Sequence, residues 1–161
     1  MKKINLLLTV LLLNIFHGLG QPNTNKIEAE HYKTKKFDVA IFPENYIDMI
    51  PGERFTPTKQ DIDKAEVALI KGLKKLNRYK ANQASTPVIH KNLRKYKRQY
   101  FGYIDKNGQR ILLINCFWDE DLENHWLKER VQVFDGGSYY WNIQYNIDKN
   151  KLFDLYVNGY A

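Results

Sequence analysis

Histidines and carboxylates are the side chains in this sequence best suited to acid–base chemistry or metal binding, and they are scattered. Beyond the first twenty residues the histidines are His31, His90 and His125, which lie in three separate regions. The acidic run 119–123 has neither the ligand spacing nor the glycine of a calcium loop, so we interpret it as a solvated connection between strands. Nucleophile-elbow, His-Glu-x-x-His and phosphate-loop motifs are absent from the sequence. We therefore expect no catalytic residues, metal or cofactor, although a catalytic carboxylate with a partner distant in sequence stays open.

A basic segment suggests a different chemistry, the binding of anions. Residues 90–98 are rich in cations interleaved with aromatic rings, and Tyr100 follows them. Phosphates and carboxylates attract such cations, and tyrosine rings can stack on a ligand. The alternative is a solvated strand entrance whose lysines discourage edge-to-edge pairing. The candidate polyanion-binding residues are Lys91, Arg94, Lys95 and Arg98.

The first twenty residues predict export. Lys2 and Lys3 precede the apolar run 4–16, and Gly18 and Gly20 provide the small residues that a signal-peptide cleavage site needs. We expect residues 1–20 to be a signal peptide that is cleaved near Gly20, which leaves a secreted or periplasmic mature chain without a transmembrane segment. Export argues against nucleic acid as the partner and favours an anionic glycan or lipid headgroup.

The rest of the chain is the size of one domain. Residues 21–36 are polar and lack an apolar period, so we expect a flexible lead-in, followed by a single domain at 37–161. Cys116 is the one cysteine and lies in an apolar run, which predicts a buried free thiol.

One long helix is predicted over Thr58–Tyr79. The stretch 56–61 provides capping hydroxyls, a proline suited to a first helical turn, and an acid three residues after Thr58. Apolar residues recur at three- and four-residue steps and form one stripe: Ile62, Ala65, Leu69, Ile70, Leu73 and Leu76.

The remainder predicts β-structure. Phe37–Phe42 is a short candidate strand, and everything after Lys95 is interpreted as antiparallel hairpins. The Asn-Gly at 107–108 predicts a type I′ turn. The three expected hairpins join Tyr96–Ile104 to Arg110–Trp118, Glu129–Phe134 to Tyr139–Ile147, and the latter strand to Leu152–Val157.

Alternation along these strands predicts which face meets the helix. One set of alternate residues is apolar and should face it: Tyr139, Trp141, Ile143, Tyr145, Ile147, Phe153, Leu155 and Val157. Residues 111–118 are apolar on both faces, which predicts a central strand whose second face is covered by the amino-terminal segment or a partner chain. The expected fold is α+β, with one long helix packed on a curved antiparallel sheet of four to five strands.

This plan resembles cystatin-like and NTF2-like domains. Gln132-Val133-Phe134-Asp135-Gly136 is similar to the cystatin Gln-x-Val-x-Gly hairpin, and paired tyrosines, 139–140, follow it as in cystatins. The resemblance implies a wedge that enters the cleft of papain-like cysteine proteases. The candidate binding residues at this hairpin tip and on the polar sheet face are Gln132, Phe134, Asp135, Gly136 and Tyr140.

The sequence favours a non-catalytic binding or interaction domain for a protein or small ligand. The alternatives are a cystatin-like protease inhibitor and an NTF2-like pocket enzyme with a carboxylate or histidine among aromatic residues on the concave face. Trp118, Trp126 and Tyr140 could also form an aromatic platform for sugars or peptides. The helix start and the closing Val157-Asn158-Gly159 resemble small secreted bacterial proteins, a likeness that implies no activity.

Overall fold

The helix is the one predicted, slightly shorter. The computed structural model describes residues 27–78, 83, 85–119 and 123–159, so the expected signal peptide and residues 21–26 of the lead-in lie outside the described residues. Helix α1 spans Lys59–Leu76 and begins with a capping box. In this box Asp61 donates its backbone N–H to Thr58 Oγ1 at 3.2 Å, and Thr58 donates its own to Asp61 Oδ2 at 3.0 Å. Both groups would otherwise lack partners at the helix start.

Seven strands form one open, mixed sheet. In spatial order β1, β2, β4, β5, β6 and β7 are neighbours, and β3 pairs with β4 beside this path. Strands β2 and β4 run parallel, because α1 lies in the connection between them, while the other pairs are antiparallel. The strands are β1 (Glu30–Lys33), β2 (Asp38–Ile41), β3 (Arg54–Phe55), β4 (Lys97–Ile104), β5 (Arg110–Phe117), β6 (Tyr140–Asn146) and β7 (Lys151–Val157).

The sheet therefore has more strands than the four to five that were expected. All of its strand pairs were expected to be antiparallel, but β2 and β4 run parallel. Strand β1 lies inside the segment interpreted as a lead-in, and β3 lies between the candidate strand Phe37–Phe42 and the helix, where no strand was expected. Both are short and lack an alternating apolar pattern, so their partners β2 and β4 define them as strands. The single-helix α+β class itself is confirmed.

The hairpin β4–β5 is confirmed, with a different turn. Gly108 has a φ of +75°, whereas Asn107 does not have the positive φ that a type I′ turn requires. Gly108 N–H donates to the Asp105 carbonyl at 2.9 Å, and the Asp105 carboxylate accepts from the backbone N–H groups of Asn107 and Gln109. The aspartate thus favours a three-residue loop that ends in a left-handed glycine.

The predicted strand Glu129–Phe134 is wrong, because residues 128–136 form an irregular loop. Side-chain amides of the sheet bind its backbone in place of a neighbouring strand. Gln99 donates to the carbonyls of Trp126 and Glu129 at 2.7 Å and accepts from Val131 N–H at 2.9 Å. Asn158 donates to the carbonyls of Val133 and Asp135. These bonds give the loop carbonyls partners in place of a neighbouring strand.

Two apolar clusters cover the two faces of the sheet. On one face α1 packs on alternate residues of the strands, and Trp141, Ile143, Tyr145 and Ile147 lie there as predicted. Phe153 does not, because β7 has a bulge near Asp154 that shifts the alternation. On the other face Phe101 and Phe117 are covered by three residues: Ala29 before β1, Ile50 between β2 and β3, and Trp126 between β5 and β6.

The central position of β5, with cover on its second face, is therefore confirmed. Cys116 is a buried free cysteine on the helix side, also as predicted. Among the described residues, no helix is both long and apolar enough to cross a membrane.

Candidate functional site

A buried ion pair lies between α1 and β4. Arg98 alternates with Tyr96 and Tyr100 along the strand, so its side chain points to the helix side of the sheet instead of to solvent. Glu66 lies four residues after Ile62 and three before Leu69, so it falls within the buried stripe of the helix. The exposed fractions are 1% for the Arg98 side chain and 5% for that of Glu66.

The contacts of Arg98 leave part of its guanidinium unused. Arg98 Nη2 donates to the Leu93 carbonyl at 2.6 Å, and its Nε lies 3.3 Å from Glu66 Oε1, an ion pair without hydrogen-bond alignment. Nη1 is buried and has no hydrogen-bond partner among the described residues. A guanidinium presents five donors and cannot be deprotonated, so a buried one with free N–H groups is poised for a further acceptor.

Glu66 contacts two neighbours, Arg98 and Tyr100, that both favour its ionised form, while burial opposes it. Tyr100, fully buried, donates its hydroxyl to Glu66 Oε1 at 2.7 Å. Burial raises the pKa of the Glu66 carboxyl, while Arg98 and the Tyr100 hydrogen bond act to lower it. Burial, together with the Glu66 charge, raises the pKa of Tyr100 well above its ordinary value, so Tyr100 stays a hydrogen-bond donor.

The pair lines a cavity of about 520 Å³, which we call the arginine cavity. Its walls are Glu66, Leu69 and Ile70 of α1, the two 3-10 turns at 89–95, Lys36 and Arg98. Because small-molecule sites typically measure roughly 300–1,000 Å³, the cavity can take a small ligand. A neighbouring cavity of about 410 Å³ shares Lys36, Glu66 and Ile70 with it.

Hydrogen bonds to the end of α1 fix the turns that form one wall. Asn77, the helix C-cap, donates to Gln83 Oε1 at 2.8 Å and lies 3.0 Å from His90 Nδ1. Gln83 Oε1 also accepts from the backbone N–H of Ile89 at 3.0 Å. Burial, with Lys74 and Lys91 nearby, lowers the pKa of His90, which favours the neutral ring. The wall is thus preorganised by buried amides.

The structure brings the four predicted polyanion-binding residues to this one cavity: Lys91, Arg94, Lys95 and Arg98. Three of them belong to the turns, and Lys95 Nζ also lies 5.8 Å from the centre of the Trp118 ring. The sequence interpretation missed Glu66, Leu69 and Lys36 as site residues. A glutamate at a stripe position of an amphipathic helix was the signal that could have identified Glu66.

The other predicted site divides into a cavity and an exposed loop. Gln132, Phe134 and Tyr140 line a second cavity of about 270 Å³ on the face of the sheet opposite α1. Asp135 is exposed in the adjoining loop, where Gly136 has a φ of +81°. A side chain at 136 would also lie 2.8 Å from the Tyr140 ring, so this position requires glycine.

The remaining candidates are dispersed. Trp126 is 2% exposed and packs in the second core, so it cannot serve as a ligand platform. His31 lies 2.6 Å from Asp38 and does not line the arginine cavity. Asp119 accepts from the Tyr140 hydroxyl at 2.8 Å, and residues 120–122 of the acidic run lie outside the described residues. Within the described ranges, no group of histidine, cysteine and acidic side chains is placed to hold a metal ion.

Comparisons with protein families, curated proteins and solved structures find no match to this chain.

Proposed function

We propose that this protein is a secreted or periplasmic binding domain that holds an anionic group, a phosphate or carboxylate, in the arginine cavity. The observation that carries the proposal is the fully buried Arg98, whose Nη1 lacks a hydrogen-bond partner in the described part of the chain although Arg98 lines an accessible cavity. An arginine fork matches the geometry of carboxylate and phosphate oxygens, and such charge-assisted bonds are short and strong.

The electrostatics of the lining support the same ligand class. Among the described residues that line the cavity, one carboxylate, Glu66, stands against five cationic side chains: Lys36, Lys91, Arg94, Lys95 and Arg98. Glu66 offsets one charge, so the lining keeps an excess of positive charge that an anion would balance. The apolar side chains of Leu69, Ile70 and Leu93 would contact the uncharged part of the ligand. Export, proposed from residues 1–20, makes an anionic glycan or a lipid headgroup the source of that group.

The experiment is a binding panel on the mature chain. Inorganic phosphate, glycerol 1-phosphate and galacturonate are titrated by calorimetry, and vesicles with and without phosphatidylglycerol are tested by co-sedimentation. We expect soluble phosphate or carboxylate to bind, and vesicle binding in addition if the source is a lipid. Absence of binding in every arm would refute the proposal.

The variant pair for this panel keeps the interior balanced. Glu66→Leu/Arg98→Met removes both buried charges together, which is better tolerated than removal of one. We expect it to lose anion binding. Arg110→Met is the matched control, because Arg110 forms an exposed ion pair with Asp148 at 3.1 Å and lies outside the cavity. Equal loss of affinity in both variants would indicate general charge attraction instead of a site.

A second candidate function is inhibition of papain-like proteases, in line with the proposed cystatin-like or NTF2-like kinship of the fold. It is favoured by Phe134, whose side chain is 93% exposed on the loop beside Gly136. A wedge needs such a protruding apolar contact. Titration of papain with the wild type and with Phe134→Ala tests it: inhibition weakened by the substitution supports a wedge, and no inhibition at micromolar excess excludes one.

A further inference from the structure

The second cavity has a floor built by a row of polar residues across the sheet. Asn115 of β5 pairs with Asn142 of β6, and Asn142 pairs with Tyr156 of β7. These three alternate with residues of the helix-side core, so they lie on the opposite face. Direct cross-strand neighbours are roughly 5 Å apart, so the row spans about 10 Å. We call this the amide cavity.

The loop 130–134 forms the wall of the amide cavity. Arg130 donates its backbone N–H to Tyr46 Oη at 2.9 Å, and the Asn158 side-chain amide donates to the Val133 and Asp135 carbonyls. Phe134 and Tyr156, 93% and 58% exposed, add aromatic rings to the rim. The wall is therefore fixed by partly buried hydrogen bonds, while the two rings at the rim stay accessible.

The polar groups of the amide cavity are available to a ligand. Asn115 uses both amide hydrogens internally, on Gln99 Oε1 at 2.9 Å and the Val131 carbonyl at 2.8 Å, which leaves its side-chain oxygen as an acceptor. Asn142 makes no side-chain hydrogen bond within the described residues. Arg130 Nε is buried and likewise unpartnered there. The cavity thus presents both donors and acceptors.

The charge of the lining excludes a strong preference for ions. Arg130 is the one ionised side chain among the described residues that line the amide cavity, and Asp48, 7% exposed, pairs with it at 3.2 Å. Amides beside exposed rings suit a molecule that has many hydroxyls and an apolar C–H face. The volume, about 270 Å³, lies just below the roughly 300 Å³ at which small-molecule sites begin, so it suits one ring.

We infer that the amide cavity binds a neutral saccharide, one sugar residue deep, with the row of the sheet as the hydrogen-bonding floor and Tyr156 or Phe134 stacked on the ring. This site is independent of the arginine cavity, because the two lie on opposite faces of the sheet.

The test is saturation-transfer NMR and calorimetry on the mature chain with glucose, galactose and N-acetylglucosamine. We expect at least one neutral sugar to bind at millimolar concentration, and Tyr156→Ala to weaken it roughly three- to tenfold, the loss typical of a ring contact. Tyr139→Ala is the matched control, since Tyr139 is 39% exposed and does not line the cavity. Gln132→Ala, an exposed loop position, is the second variant in case Tyr156→Ala does not fold.

Several outcomes would overturn the inference. No neutral sugar binding at tens of millimolar, or equal weakening by the Tyr139 and Tyr156 variants, excludes a saccharide site in this cavity. Papain inhibition that depends on Phe134, without a response to sugars, would assign the loop to a protein partner.

One outcome would support the inference and separate the two sites: sugar binding that survives in Glu66→Leu/Arg98→Met while anion binding is lost.

Discussion

Removal of the Arg98 guanidinium should make the free energy of unfolding depend on pH through one group, the Glu66 carboxyl. In Arg98→Met, Glu66 keeps the Tyr100 hydroxyl but loses its cation, and its side chain is only 5% exposed in the wild type. A buried carboxyl without a cation is neutral, whereas the same group in the unfolded chain is ionised above its ordinary pKa of 4.5. The folded variant therefore holds a proton that the unfolded variant releases at neutral pH.

The magnitude follows from that proton. With the folded pKa raised above the unfolded one, stability is fully present below pH 4.5 and is lost as pH rises toward the folded pKa. At about 1.36 kcal/mol per pH unit, a Glu66 carboxyl that stays neutral in the folded variant costs at most about 3.4 kcal/mol at pH 7 and at most about 0.7 kcal/mol at pH 5. The single variant Glu66→Leu leaves Arg98 buried without its carboxylate. Because arginine stays charged, no proton release relieves this, and the free energy of unfolding should fall by about 3–5 kcal/mol at pH 7.

The assay is urea unfolding followed by tryptophan fluorescence at pH 5, 6 and 7, with linear extrapolation. The reference is Glu66→Leu/Arg98→Met, which shares every other titrating group with Arg98→Met. We expect Arg98→Met to gain up to about 2.7 kcal/mol on this reference between pH 7 and pH 5. A difference that stays constant within about 0.5 kcal/mol would show that Glu66 remains ionised without Arg98, which would refute the account of a tightly coupled pair.

Three further results are expected. Sulfate stays a dianion over the pH range used, so its affinity, measured by calorimetry, reports the charge of the site. We expect the affinity for sulfate to rise as the pH falls toward the raised pKa of Glu66, because protonation of Glu66 releases Arg98. Glu66→Gln should flatten this pH profile. Thr58→Ala should lower the free energy of unfolding by about 1 kcal/mol in urea, since the capping box is lost. Gly102→Ala should lower the melting temperature, because its Cβ would overlap the Phe55 carbonyl and lie 2.8 Å from the ring; unchanged melting would contradict the β3–β4 pairing.

Local signals predicted the elements that are stable on local grounds. The capping box at Thr58 and the glycine at 108 place polar groups and a left-handed residue where a helix start and a hairpin turn need them, and both features lie where the sequence put them. Strands β1 and β3 escaped prediction because four- and two-residue strands are defined by their partners. The loop at 128–136 escaped it because its backbone bonds go to side chains distant in sequence, such as Gln99.

The cations of the candidate site could be predicted from the sequence, but the cavity that they line could not. The cations of the 89–95 turns were identified as a cluster, but their place on one cavity depends on the buried Asn77–Gln83 hydrogen bonds. Arg98 was grouped with them as a surface residue, although its alternation with Tyr100 along the strand indicates that its side chain points inward. The pairing of Glu66 with Arg98 joins a helix and a strand more than thirty residues apart, and no sequence spacing encodes such a contact.

The most direct test of anion binding is a crystal structure of the mature protein with glycerol 1-phosphate. We predict an oxygen of the phosphate at roughly 2.7–3.0 Å from Arg98 Nη1, inside the arginine cavity. Phosphate bound only to exposed lysines, with the cavity around Glu66 and Arg98 unchanged, would contradict the account.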